Sequence, residues 1–428
     1  MRTHGPLQRP LLRIGISLVA MMGSFALASA AQGAATTTTL STGTGATITR
    51  LPLTTGVTGG EETAIWCTAP GSCVAGGTET SGLTGQHAVL STEANGVWSK
   101  PQIVGTGVIP LSASDTMEHV ICPRKGSCVA LGQVITNTTS SSGAHFSSFL
   151  VVQHGTRWDR AQLVPTTGLG PKASYILTGM ACPSVGSCVI TGVLLKNGTA
   201  SRVFSLTWHA AKWSRPLFLS AAALGPRATL MSSGALSCVG SWCEAVGLYT
   251  TVRSAAAQTG RNSGAFVATY SGGQWHDLHA LSAYRASTSI SLFESISCTG
   301  VGACVAGGQS DPLKSSGSTA IAAEEHHGRW SAPYALSSPG ASVLETISCV
   351  DVPACAGVIT KVSGGFSGVV TMSASGHWRL STSPSAPGWT SLQGWAMSCV
   401  ARSCTIVGSG TQGSTGAPVP LVITPRAG

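Results

Sequence analysis

Charge is scarce in this sequence: only 9% of its 428 residues are Asp, Glu, Lys or Arg, and only 6% are aromatic. A disordered chain needs low hydrophobicity with many charges, and a helical bundle needs abundant Glu, Lys, Arg and Leu, so both classes are excluded. Clustered base is missing as well. The best run is Arg124-Lys125, too short for the basic stripe that a nucleic-acid surface uses, so no nucleic acid is expected as a partner. Beyond residue 30 no stretch is long and apolar enough to span a bilayer. Calcium loops, phosphate loops and a serine nucleophile elbow are also lacking, and no cofactor or metal is expected.

What is present begins at the N-terminus. Arg2, Arg9 and Arg13 precede the uncharged apolar run Ile14 to Ala28, and Ala28-Ser29-Ala30 is a small-x-small cleavage signal. This predicts a signal peptide over 1–30, a disordered leader over 31–45 that includes Thr36 to Thr39, and a single domain over 46–428. The formal charge of +9 falls to +6 once those three arginines are removed. No cysteine follows the apolar run closely enough to carry a lipid. The expected location is therefore secreted, extracellular or at the cell envelope, and its 14 cysteines are expected to form disulfides there.

The cysteines fall into seven pairs: Cys67/Cys73, Cys122/Cys128, Cys182/Cys188, Cys238/Cys243, Cys298/Cys304, Cys349/Cys355 and Cys399/Cys404. First cysteines recur every 50 to 60 residues, with flanks such as SISC before and CVAGG after. Six tryptophans share a second phase: Trp98, Trp158, Trp213, Trp275, Trp330 and Trp378. The runs between these marks are rich in Val, Ile, Thr and aromatics and bounded by Gly and Ser, which favours four short strands per unit. The fold class predicted is an all-β, seven-bladed β-propeller with four antiparallel strands (A to D) in each blade. The last unit lacks a D strand. Ala46 to Leu53 supplies one, since Pro52 falls where Pro101, Pro216 and Pro333 stand, and would close the ring without an exposed edge.

Facing residues of an antiparallel hairpin lie about 4.5 to 5.5 Å apart, so each pair is assigned as a disulfide within its own blade. Two thiols per unit are too few for a zinc site. One tryptophan per blade is expected to fill the space between sheets, its N–H bonded to backbone, while Trp242, Trp389 and Trp395 are candidate sugar platforms. The long connections, Thr136 to Ala144, Thr250 to Gly264, Ser310 to Thr319, Val104 to Thr116 and Ser220 to Ser233, share the face opposite the disulfide turns. Binding is expected on that face.

Four residues before each first cysteine stand Thr63, Glu118, Thr178, Gly234, Glu294, Glu345 and Trp395. Glu118, Glu294 and Glu345, with Glu62 one position off and His119 adjacent, form a candidate acidic rim at the channel mouth, suited to sugar hydroxyls, a cation or acid/base work. His326-His327 with Glu324-Glu325 reads as a solvated turn. Asn137-Thr138-Thr139 and Asn197-Gly198-Thr199 fit the glycosylation sequon.

With Ser297-Cys298 and Cys304-Val305-Ala306-Gly307 as the pattern, the chain resembles a family of secreted bacterial repeat proteins with S-C-x4-5-C-V-A-x-G blades, in the broad sialidase-like, Asp-box class. Ser91-Thr92-Glu93-Ala94-Asn95-Gly96-Val97-Trp98 is a degenerate form of that box. A sialidase resemblance would imply an arginine triad and a tyrosine nucleophile with a glutamate partner. This chain has five tyrosines and few arginines in the face loops, so no catalytic residue is carried over. The reading is a monomeric, noncatalytic binding or scaffold propeller for a glycan, peptide or cell-wall component, and the alternative is a divergent glycan hydrolase using the channel-mouth carboxylates.

Overall fold

Small and β-branched residues around each cysteine pair build seven antiparallel sheets, arranged as the blades of a propeller. The computed structural model describes residues 39–41 and 46–425, apart from 82–84, 111–112, 138–143, 171, 197–198, 252–262, 284–288, 313–316, 337–339, 341, 363–364, 374, 383–388, 402 and 414–415. The expected signal peptide and most of the expected leader lie outside the described residues, as do most of both sequons. The inner A strands are Gly59–Ala69, Ser114–Arg124, Ser174–Ser184, Thr229–Val239, Ser289–Gly300, Ser342–Cys349 and Trp389–Val400. Each touches the next, and the seventh touches the first. Among the described residues no helix is long and apolar enough to cross a membrane.

Closure follows the sequence reading. Ala46–Arg50 pairs antiparallel with Val419–Pro425, Ile48 opposite Ile423, as the outer strand of blade 7. Leu51 N–H then reaches Pro420 O at 3.0 Å. Thr39–Ser41 departs from the expected leader: it adds a short strand beside Thr47 to Thr49. The free ladder of Ala46–Arg50 offers backbone partners that polar composition alone does not reveal.

All seven disulfides join the two cysteines of one blade: Cys67–Cys73, Cys122–Cys128, Cys182–Cys188, Cys238–Cys243, Cys298–Cys304, Cys349–Cys355 and Cys399–Cys404. No described cysteine is free. The pairing is the expected one, but two details differ. The Cα atoms lie 3.9–4.0 Å apart, closer than ordinary facing residues, because the sulfur bridge draws the two strands together at their ends. The cysteines are also more than staples across a turn, since the second of each pair packs against the preceding blade. Cys188 is buried with Val129 and Leu131 of blade 2, Cys243 with Ala181 and Val189 of blade 3, and Cys355 with Val305 and Ala322 of blade 5, while Cys404 packs partly buried on Val358 of blade 6. A bonded sulfur is apolar and small, which suits it to a seam. These residues therefore belong to the packing between blades. The bridges point to an oxidising, non-cytoplasmic setting.

The strand after the tryptophan is interrupted where Pro101, Pro216 and Pro333 stand and equally in blade 2, where Ala161 takes that place, so the break belongs to the blade and proline, with no N–H for the ladder, fits it.

Apolar seams between neighbouring blades hold the ring together. Met117, Val120 and Phe149 of blade 2, for instance, pack on Ala64, Val74 and Leu90 of blade 1. The serine of the S-C motif adds a polar stitch. Ser237, Ser297, Ser348 and Ser398 each accept the N–H of the next blade's first cysteine, Cys298, Cys349, Cys399 and Cys67, at 2.9–3.0 Å. The last of these bonds joins blade 7 to blade 1. The tryptophans span seams as expected, but their N–H groups find side chains of the preceding blade rather than backbone: Trp275 to Ser205 Oγ, Trp330 to Glu244 Oε1 and Trp378 to Tyr334 Oη. The neighbouring sheet's backbone is already paired within its own ladder, so polar side chains are the acceptors left in the seam.

Ile48 is 1% exposed. Ile48→Ala is expected to cost about 2–5 kcal/mol in denaturant unfolding, with oligomers on size exclusion as the edge of Val419–Pro425 is freed. Ser348→Ala leaves the Cys399 N–H without its partner and should cost about 1–2 kcal/mol in the same assay.

Candidate functional site

Every inner strand carries a β-bulge at the same level. The residues left without a cross-strand partner are Thr63, Glu118, Thr178, Gly234, Glu294, Glu345 and Trp395, the seven positions that stand four residues before the first cysteine. Bulges re-aim side chains, and Thr63 and Thr178 reach from the inner edge of one sheet to the inner strand of the next. Thr63 Oγ1 donates to Met117 O of blade 2, and Thr178 Oγ1 lies 2.7 Å from Ser233 Oγ of blade 4. At Gly234 a Cβ would come 2.3 Å from Phe293 O of blade 5, so only glycine fits there.

The ring is a mixed one, with hydroxyls, an indole and three carboxyls. Glu118, Glu294 and Glu345 are half-buried. Loss of hydration raises the Glu294 carboxyl to about 8, helped by the charges of Glu345 on the next blade and Asp311 on the adjacent strand Ala303–Pro312. Glu345 is also raised by burial, with Thr360 Oγ1 donating to its Oε1 at 2.5 Å as a restraint. Burial pushes Glu118 up to about 7, with a smaller contribution from Glu61. Two groups result: Glu294, Glu345 and Asp311 on blades 5 and 6, and Glu118 with Glu61 on blades 2 and 1. Trp395 stands between them on blade 7, its indole N–H buried and without an acceptor.

Two of the residues expected at the rim are placed elsewhere. Glu62 is 2% exposed and lies opposite Gly77, on the strand face that Ala75 buries against blade 7. It sits near Glu79, whose Oε1 accepts Thr54 N–H at 2.9 Å, and burial raises it well above the carboxylate range. A bulge at Thr63 turns its neighbour into the seam. His119 lies opposite Leu131 on the face toward blade 3, and desolvation lowers it to about 4, so it is neutral.

The turn near His326 also differs from expectation. Glu324 and Glu325 belong to the strand Thr319–His326, and Glu325 is 4% exposed rather than solvated. It shares a hydrogen bond with Glu244 of blade 4, which burial first and then this pairing push up to about 9. The Glu244 carboxyl also approaches the sulfurs of Cys298 and Cys304, but these are bonded to each other and offer no thiolate. Trp242, Trp389 and Trp395 are partly buried, none an open platform. Instead Trp66, unnoticed in the sequence reading, is 36% exposed; its signal was the replacement of the motif serine in AIWC. Cysteine spacing does not reach Asp311 and Glu79, which lie on the second strands of their blades, or Glu61, which stands two residues before the bulge at Thr63. The middles of three long connections, 138–143, 252–262 and 313–316, lie outside the described residues.

No protein-family model matches the sequence, and no curated protein matches it. Solved structures do resemble it. An ulvan lyase, a polysaccharide lyase, is 8% identical over 85% of this chain and 94% of its own, with a TM-score of 0.51. A Hadza microbial sialidase is 11% identical over 71% of this chain, with a TM-score of 0.41, and this chain spans 63% of its length. The NanB sialidase from Streptococcus pneumoniae is 9% identical over 72% of this chain and 66% of its own, with a TM-score of 0.43. At such identities the likeness concerns the fold alone.

The raised carboxyls make stability fall with pH. A glutamate whose folded value exceeds the unfolded 4.5 contributes stability that is fully present below 4.5 and lost as pH rises through the folded value, here about 7 for Glu118, about 8 for Glu294 and about 9 for Glu244. The thermal midpoint is expected to be higher near pH 5 than near pH 9.5, and Glu244→Gln should flatten the upper part of that slope in a calorimetric pH series.

Proposed function

We propose that the protein is a noncatalytic binding propeller that takes a glycan, as found in cell-wall material, at the long-loop mouth of its channel. The observation that carries this reading is the ring of bulges, which brings hydroxyl, indole and carboxyl groups of different blades to one level. Sugar hydroxyls both donate and accept, and they match groups that do the same. Thr63 and Thr178 supply hydroxyls, Trp395 an unpaired donor, and Glu294 a carboxyl that keeps its proton near neutral pH. A cation would be served by carboxylates of low pKa, whereas burial raises all three rim glutamates. The disulfides suit work in an oxidising compartment, in keeping with export.

One observation favours a hydrolase as the second reading. Burial raises both Glu294 and Glu345, the charge of Glu345 raises Glu294 further and Thr360 restrains Glu345, and two neighbouring carboxyls held by different partners suit an acid and a base.

The test is capture of cell-wall polysaccharide fractions by the full chain, followed across pH. Capture is expected to fall about tenfold in Glu294→Ala with Glu345→Ala, to persist in Glu294→Gln, and in the wild type to weaken as pH rises past about 8. Unchanged capture by the alanine double variant would reject the rim as the site. Release of reducing ends from the same fractions, abolished by Glu294→Gln, would favour the hydrolase.

A further inference from the structure

A cleft of about 620 Å³ opens between blades 1 and 2 on the disulfide-turn face, away from the channel mouth and independent of the reading above. Trp66 and Val74 of blade 1 face Gln153 and Trp158 of blade 2 across it, and Lys125 stands at its edge. Its origin is clear from the seam between blades 4 and 5. There Glu244, the residue after the second cysteine, fills the corresponding space, bonding both Trp330 and Glu325. At the first seam the same three positions are Val74, Trp158 and Gln153. Valine brings no polar atom, so Gln153, 3% exposed, keeps a buried Oε1 without a hydrogen-bond partner. Trp66 occupies the place of the motif serine, opposite Val74 on the blade 2 side, and its indole is left 36% exposed at the cleft.

We propose that this cleft is a second binding site, for one ring of an oligosaccharide. A buried acceptor left unpaired costs about 1–3 kcal/mol, which a ligand O–H would recover by donating to Gln153 Oε1. Indole faces suit the C–H face of a pyranose, and a mainly apolar pocket with a small number of placed polar groups, here Gln153 and Glu93 among them, is the common form of small-ligand sites. A peptide segment is less well matched, because its N–H donors are served by strand edges, and here the unpaired acceptors, Gln153 Oε1 and Glu93 Oε2, are side-chain atoms.

The test is titration of the full chain with cellobiose, N,N′-diacetylchitobiose and digalacturonate, read by tryptophan emission and calorimetry. At least one is expected to bind with a dissociation constant below about 10 mM. Two variants copy other seams of the same molecule: Trp66→Ser restores the motif serine, and Val74→Glu supplies the group that Glu244 supplies between blades 4 and 5. Each should weaken that binding about tenfold or more, while Glu294→Ala with Glu345→Ala leaves it unchanged. Thermal unfolding of each variant checks its fold, and Trp66→Ser decides the outcome if Val74→Glu does not fold. The proposal is overturned if none of the three disaccharides binds, if Trp66→Ser binds as the wild type does, or if only the channel variants lose binding. Binding at the channel could survive any of these results, so the two sites stand or fall separately.

Discussion

Seven inner strands must converge on one axis while each stays hydrogen-bonded to its own sheet, and the bulge is how this chain meets that requirement. The extra residue drives a strand A carbonyl against strand B. A Cβ would lie 1.9 Å from Glu61 O at Gly77, 2.0 Å from Leu292 O at Gly308 and 1.8 Å from Gln393 O at Gly408. The last glycine of the C-V-A-x-G run accommodates that carbonyl in these three blades, whereas blade 6 carries Ile359 in the same register, paired with Leu344 just before the bulge at Glu345, so the bulge itself does not require glycine. The same feature that lets the strands converge also sets one bulged residue per blade at a common level, a side chain in every blade but the fourth, which has Gly234. Architecture and candidate site share one cause.

The seams show how a repeat acquires individual chemistry. Positions beside the cysteines form the serine stitch in the later blades, a buried carboxyl pair between blades 4 and 5, and an open cleft between blades 1 and 2. None of these alters the sheets, because each sheet's ladder is complete without them. Seam positions are thus free to differ as long as volume and hydrogen bonding are settled locally. The first seam leaves both unsettled, and that distinguishes it from the fourth.

Poverty of charge has an electrostatic consequence. The ion pairs among the described residues all use histidine, so most buried carboxyls lack a strong counter-charge. Burial then holds them toward the neutral form, as at Glu62, Glu118, Glu244 and Glu294. Neutral carboxyls donate as well as accept, which changes what the channel mouth can bind. A chain with more lysine in its seams would present carboxylates instead.

The blade number, the disulfide pairing, the closing strand and the level of the seven inward residues were all legible in the sequence, because spacing alone encodes them: a hairpin turn brings near neighbours together whatever surrounds them. Direction and company were not. Spacing pairs Cys182 with Cys188 and Cys238 with Cys243, yet it does not say that Cys188 and Cys243 are packed against the blade before their own. A one-residue step along a bulged strand separates Thr63, at the inner edge, from Glu62, sealed against blade 7, and spacing cannot tell which way the bulge turns each of them. Nor can it bring Glu244 to Glu325, or set Gln153 opposite a valine, since those contacts join residues from different blades across a packed seam. Only the closed ring decides them, because burial and the identity of the facing group exist once the sheets have met.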